Sequence, residues 1–75
     1  MEHQDQKLAL LAALQQFNIA VVNEEGKMVF LEKDYTIEVE QNGLFKLSQE
    51  GYVIAPFKDL EELCQFIKTD MQLNE

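Results

Sequence analysis

The apolar positions change their spacing twice along the chain. From residue 5 to 17 they keep a helical period: Leu8, Leu11, Leu14 and Phe17 form one stripe, widened by Leu10 and Ala13. Eight of the ten residues from Leu8 to Phe17 are apolar, and the Ala and Leu among them are strong helix formers. Asp5 suits the start of this helix, where its charge meets the positive end of the dipole. Asn18 suits the stop, because Asn tolerates a left-handed backbone at the residue after the cap. A second helical pattern closes the chain between Phe57 and about Met71, with Leu60, Leu63, Cys64, Ile67 and Met71 on one stripe. Asp59, Glu61 and Glu62 crowd its start and Lys68 lies near its end, again as the dipole favours.

Between the helices the pattern is that of short strands, at about 19–22, 27–32, 35–40, 44–48 and 52–55, with Lys33-Asp34 turning the second into the third and Pro56 ending the last. Three connecting segments share one form: Asn23-Glu24-Glu25-Gly26, Glu40-Gln41-Asn42-Gly43 and Ser48-Gln49-Glu50-Gly51. Each ends on Gly, which predicts three-residue hairpin loops, a type I turn followed by a left-handed residue. For the middle hairpin the register is checkable. With Gln41, Asn42 and Gly43 as the loop, Val39 faces Phe45 and Ile37 faces Leu47, while Glu38 faces Lys46 on the other side. Short links between consecutive strands imply an antiparallel meander.

The strands are not alike. Tyr35, Ile37 and Val39 alternate with Thr36, Glu38 and Glu40, as in a sheet with one wet face. Ile19-Ala20-Val21-Val22 and Met28-Val29-Phe30-Leu31 are apolar throughout, which predicts burial on both faces. If both helices share one face, the first hairpin presents an apolar patch on the other, the usual mark of a partner site. The candidate interface is therefore Val21, Val29 and Phe30 of that hairpin with Leu10 of the broad apolar first helix.

Composition narrows the classes. Seventy-five residues fit one domain, residues 1–75, with 1–4 and 72–75 expected to fray. A core this small buries a modest share of its surface and leans on good packing or on oligomerisation. An intramolecular disulfide is excluded, because Cys64 is the single cysteine. The hydrophobic fraction of 47% rules out a disordered acidic tail. The net charge is −8, with six scattered lysines and no arginine. That argues against direct binding to nucleic acid or to an anionic membrane, both of which need clustered cations. No stretch has the roughly 18 apolar residues of a membrane span. The polar, acidic start is unlike a signal peptide, and a lone thiol fits a reducing compartment, so the expected location is the cytoplasm.

Candidate chemistry is thin. His3 lies in the polar N-terminal segment without a partner nearby in sequence. Cys64 lies on the apolar stripe of the last helix, where a thiol behaves as a small hydrophobe. No calcium-loop spacing and no glycine-rich phosphate loop occurs. Tyr35 and Tyr52 read as aromatics at the core's edge, and Phe17, Phe30, Phe45, Phe57 and Phe66 recur one per element, as core residues do. No catalytic residue, cofactor or metal is expected. The acids remain: Glu38 and Glu40 outward on one strand, and Glu61 and Glu62 on the last helix, are candidates for a negative face that keeps the protein soluble or meets a basic partner.

The sequence thus predicts an α+β domain, an antiparallel meander of four to five strands flanked by an N-terminal and a C-terminal helix, ordered α-β-β-β-β-β-α. The expected function is that of a non-catalytic, acidic interaction module, homodimeric or bound to another protein, in a regulatory or accessory role. The alternative is an acidic inhibitor or nucleic-acid mimic that occupies a basic, nucleic-acid-handling protein.

Overall fold

The computed structural model describes residues 2–73, and the side chains of residues 6–73. Helix α1 (Glu2–Gln16) leads into β1 (Val21–Glu25), β2 (Met28–Leu31), β3 (Tyr35–Val39), β4 (Phe45–Gln49) and β5 (Tyr52–Phe57), and α2 (Leu60–Leu73) closes the chain. The strands form one open antiparallel sheet in the order β1-β2-β3-β4-β5. This is the expected α+β meander with all five strands present. Helix α1 begins three residues before the expected start at residue 5, and α2 begins three after the expected start at Phe57 and runs on through Leu73. The Asp5 side chain and residues 1, 74 and 75 lie outside the described residues.

Local chemistry fixes the helix ends. Asn18 is left-handed (φ 59°); its N–H donates to the Gln15 carbonyl at 3.1 Å, and the Ile19 N–H donates to the Leu14 carbonyl at 2.8 Å. These two bonds are the Schellman pattern, and the buried Leu14 and Ile19 sit at its two ends. At the other helix, Asp59 caps: its Oδ1 accepts from the Glu61 N–H at 2.9 Å, and its carbonyl accepts the first helical bond, from the Leu63 N–H at 3.0 Å.

The middle hairpin has the register expected of it, with Val39 opposite Phe45, Ile37 opposite Leu47 and Glu38 opposite Lys46. The Gly43 N–H donates to the Glu40 carbonyl at 3.3 Å, and Gly43 is left-handed at φ +77°. That is the three-residue loop with its bulge. The other two hairpins are tighter than expected. Glu25 pairs with Met28 and Gln49 with Tyr52, leaving two-residue loops, Gly26-Lys27 and Glu50-Gly51. In the latter both residues have positive φ, 52° and 86°, as a type I′ turn requires. Each of these hairpins takes up its extra residue as a bulge instead, at Val22 in β1 and at Ile54 in β5. Pro56 does not end β5. It pairs with Lys46 within it, and β5 is an edge strand, where a missing N–H is tolerated.

Both helices cover the same face of the sheet. Leu10 and Leu14 of α1 and Leu63, Cys64 and Ile67 of α2 join Val29, Leu31, Tyr35, Ile37, Val39, Phe45 and Leu47 in one core. Fully burying an aliphatic side chain of this size contributes roughly 1.5–3 kcal/mol, so this layer carries most of the stability. Helix α2 packs over β4 and β5, and α1 over β3. Alternation leaves Met28, Phe30, Thr36, Glu38, Lys46, Ser48 and Val53 on the opposite, uncovered face. The prediction that the first two strands are buried on both sides is therefore overturned. All of β1 is exposed, and β2 alternates between buried and half-buried.

Candidate interaction surface

Of the four expected interface residues, two are interior. Leu10 and Val29 are fully buried, because both helices pack on the face that Val29 shares with Ile37. Neither is available to a partner in this fold. Phe30 lies on the uncovered face and is half-buried; Val21, at the edge, is exposed.

The greater apolar exposure lies at the other end of the sheet. On β5, Tyr52 is 78% exposed, Val53 58% and Ile54 36%, three consecutive residues. The type I′ turn and the bulge at Ile54 put them there, and return Ala55 and Phe57 to the helix face opposite Leu47 and Phe45. Phe57 meets the half-exposed Phe66 of α2, ring centroids 5.5 Å apart and tilted by 47°. The expectation that all five phenylalanines are core fails at Phe66 and at Phe30 on the uncovered face, and that for the two tyrosines fails in both directions. Tyr35 is fully buried, and Tyr52 projects into solvent.

The two edges of the sheet differ in charge. β1 ends in Glu24 and Glu25, whereas Tyr52–Phe57 holds no ionisable group but Tyr52 itself. Charges, bulges and prolines on an edge strand all resist pairing with other chains; β5 has a bulge and Pro56 but no charge, and its exposed side chains are apolar. Composition carries no sign of this difference; it follows from the two-residue loop Glu50-Gly51, which sets the run Tyr52-Val53-Ile54 on the exposed edge.

The expected acidic face does not assemble. Glu38 is held between two lysines, its Oε1 3.0 Å from Lys46 Nζ and its Oε2 3.3 Å from Lys27 Nζ. Lys46 first, then Lys27, holds the Glu38 carboxyl below its ordinary range, and Glu38 in turn raises the Lys46 ammonium. Glu40 lies on the same side by alternation, beyond the end of β3. Glu61 and Glu62 occupy the first turn of α2, in the layer on the other side of the sheet. Glu24 pairs with Lys7 of α1 at 2.8 Å.

A recess of about 240 Å³ opens between the end of α1, the β2–β3 corner and the last turns of α2, lined by Asn18, Ile19, Glu32, Lys33, Lys68 and Met71 among others. Lys33 Nζ donates to the Met71 carbonyl at 3.3 Å, so this cation serves the negative end of α2. Cys64 is buried, and burial pushes its thiol up to about 11, away from nucleophilic character. Among the described residues, no three of His, Cys, Asp and Glu gather as a metal site would require, and no helix is long and apolar enough to cross a membrane. His3 lies outside the described side chains.

Comparison with protein-family models, with curated proteins and with solved structures finds no significant match to this chain in any of the three.

Proposed function

We propose that the chain is a non-catalytic interaction module that associates with copies of itself. One observation carries this reading: a molecule of net charge −8 leaves three consecutive, uncharged, exposed apolar side chains, Tyr52, Val53 and Ile54, on an edge strand. Apolar surface of this kind gains by being covered. Its lack of carboxylates makes it a place where two strongly acidic chains can meet without like charges in contact. The lone buried thiol fits work in the reducing cytoplasm, where the module would serve a regulatory or accessory role, without nucleic acid or membrane as its direct target. The alternative, an acidic mimic that occupies a basic protein, draws less support. Its four acids are divided between two layers, and Glu38 is already neutralised by lysines.

The test is the absolute mass in solution, by light scattering behind a sizing column, at low and high salt. The expected result is a dimer, twice the 8.7 kDa of the chain, that persists at high salt because its interface is apolar. A mass of one chain at every accessible concentration would overturn self-association.

A further inference from the structure

We propose that Asn42 is a site of spontaneous covalent modification: it loses its side-chain nitrogen as ammonia, through a cyclic succinimide closed by the backbone nitrogen of Gly43. The reaction is intramolecular and owes nothing to self-association. Asparagine is among the chemically labile residues. What limits its reaction is access of the next backbone nitrogen to the side-chain carbonyl carbon. Gly43 has no Cβ to obstruct that approach. Asn42 is exposed in the β3–β4 loop, and its side-chain amide has no hydrogen-bond partner among the described residues. The Gly43 N–H is held by a single contact, to the Glu40 carbonyl at 3.3 Å, beyond the usual span of an N–H···O bond. Exposed loops open locally at little cost, which frees that nitrogen to attack.

The other asparagines lack this arrangement. Asn18 precedes the buried, β-branched Ile19, whose N–H is tied to the Leu14 carbonyl at 2.8 Å. Asn23 precedes Glu24 inside β1. Asn74, outside the described residues, precedes Glu75. The remaining glycines, Gly26 and Gly51, each follow a glutamate, which has no amide nitrogen to lose.

Water is the only co-reactant. The Gly43 nitrogen bonds to Cγ of Asn42, and the Cγ–Nδ2 bond breaks. Nδ2 leaves as ammonia, taking up the hydrogen that the Gly43 amide gives up. Water then opens the ring at one of its two carbonyls. Opening at Cγ gives aspartate on the original backbone. Opening at the main-chain carbonyl gives isoaspartate, in which the chain runs through Cβ and Cγ. Either product adds one negative charge to the −8 of the chain. Isoaspartate also lengthens the backbone of the loop that sets Val39 opposite Phe45, where added bulk at Gly43 already meets Gln6 of α1.

The experiment incubates the folded full chain at mildly alkaline pH and follows it by isoelectric focusing and by mass spectrometry of the tryptic peptide 34–46. Asn42 is the single asparagine in that peptide. The expected result is a growing acidic species with the mass change of NH2 replaced by OH at residue 42. Its rate should rise with pH, because the attacking nitrogen must lose its proton. Asn42→Ser removes the carbonyl under attack and is expected to abolish the acidic species. A folded chain whose peptide stays unchanged, while the chain unfolded in guanidinium converts, would overturn the proposal by showing that the bond to Glu40 shields Gly43. Conversion of Asn18, Asn23 or Asn74 ahead of Asn42 would overturn it as well.

Discussion

The Tyr35 hydroxyl of β3 donates to Oδ2 of Asp70, thirty-five residues further along near the end of α2. Tyr35 is fully buried, and this hydroxyl is where the interior of the sheet reaches the helix layer's polar rim. A hydroxyl donating to a carboxylate is a charge-assisted bond, stronger than a neutral one. Tyr35→Phe keeps the ring in the core and deletes the donor. The expected cost is about 1.5–3 kcal/mol of unfolding free energy, measured by urea denaturation with an unchanged slope. A loss below a few tenths would mean that water replaces the hydroxyl without penalty.

The Lys27–Glu38–Lys46 chain predicts how stability changes with pH. Glu38 titrates below its ordinary value of 4.5 in the folded chain, so it binds fewer protons folded than unfolded around that pH. Its contribution is present above pH 4.5 and is lost as the pH falls through the lowered folded value. Lys46 runs the other way, its folded value lying above 10.5, so its share is present below that pH and lost as the pH rises through the folded value. Glu38→Gln should therefore lower the melting temperature slightly at neutral pH. The gap to wild type should close toward acid and toward strong base, and shrink in molar salt. A gap that stayed constant down to pH 2 would show that the side chain acts by packing instead.

Cys64 supplies a probe of the core. Its thiol is fully buried, with the pKa pushed up to about 11 by desolvation. An aromatic disulfide reagent at pH 8 is expected to leave it unlabelled in the folded chain and to label it fully in denaturant. The slow native rate should then report opening of α2 from the sheet. Rapid labelling without denaturant would mean that this helix end is loosely docked.

Much of this architecture was legible because helix and strand periods differ and because one hairpin tested its own register. Val39, Ile37 and Glu38 could pair sensibly with Phe45, Leu47 and Lys46 in only one way, and so they do. The outer hairpins were not legible, because a segment ending in Gly admits a two- or a three-residue loop. What decides between them lies elsewhere in the chain. The tighter first loop sets Glu24 on the helix side, within reach of Lys7. The tighter third loop, with the bulge at Ile54, returns Phe57 to the core opposite Phe45 and against Phe66. Those contacts span seventeen and nine residues of chain and leave no local trace. For the same reason the apolar run of the first two strands pointed to the wrong end of the sheet. Its Val29 and Leu31 are spent on the core, and Ile19 on the cap of α1.

The β3–β4 loop offers a sharp test of how α1 presses on the sheet. Gly43 has φ +77°, a region where a Cβ costs roughly 1–2 kcal/mol. A Cβ there would also stand 3.3 Å from Nε2 of Gln6 on α1, a close approach that asks the side chain to give way. Gly26, at φ +54°, has open space around its Cβ position. Both glycines pay the backbone term, so the difference between them isolates the contact with α1. Gly43→Ala should destabilise more than Gly26→Ala in parallel denaturant titrations, and Gly43→Ala in a Gln6→Ala background should fall back toward the Gly26→Ala value. Equal losses for the two single variants would mean that Gln6 swings aside freely and that α1 does not press on the β3–β4 turn.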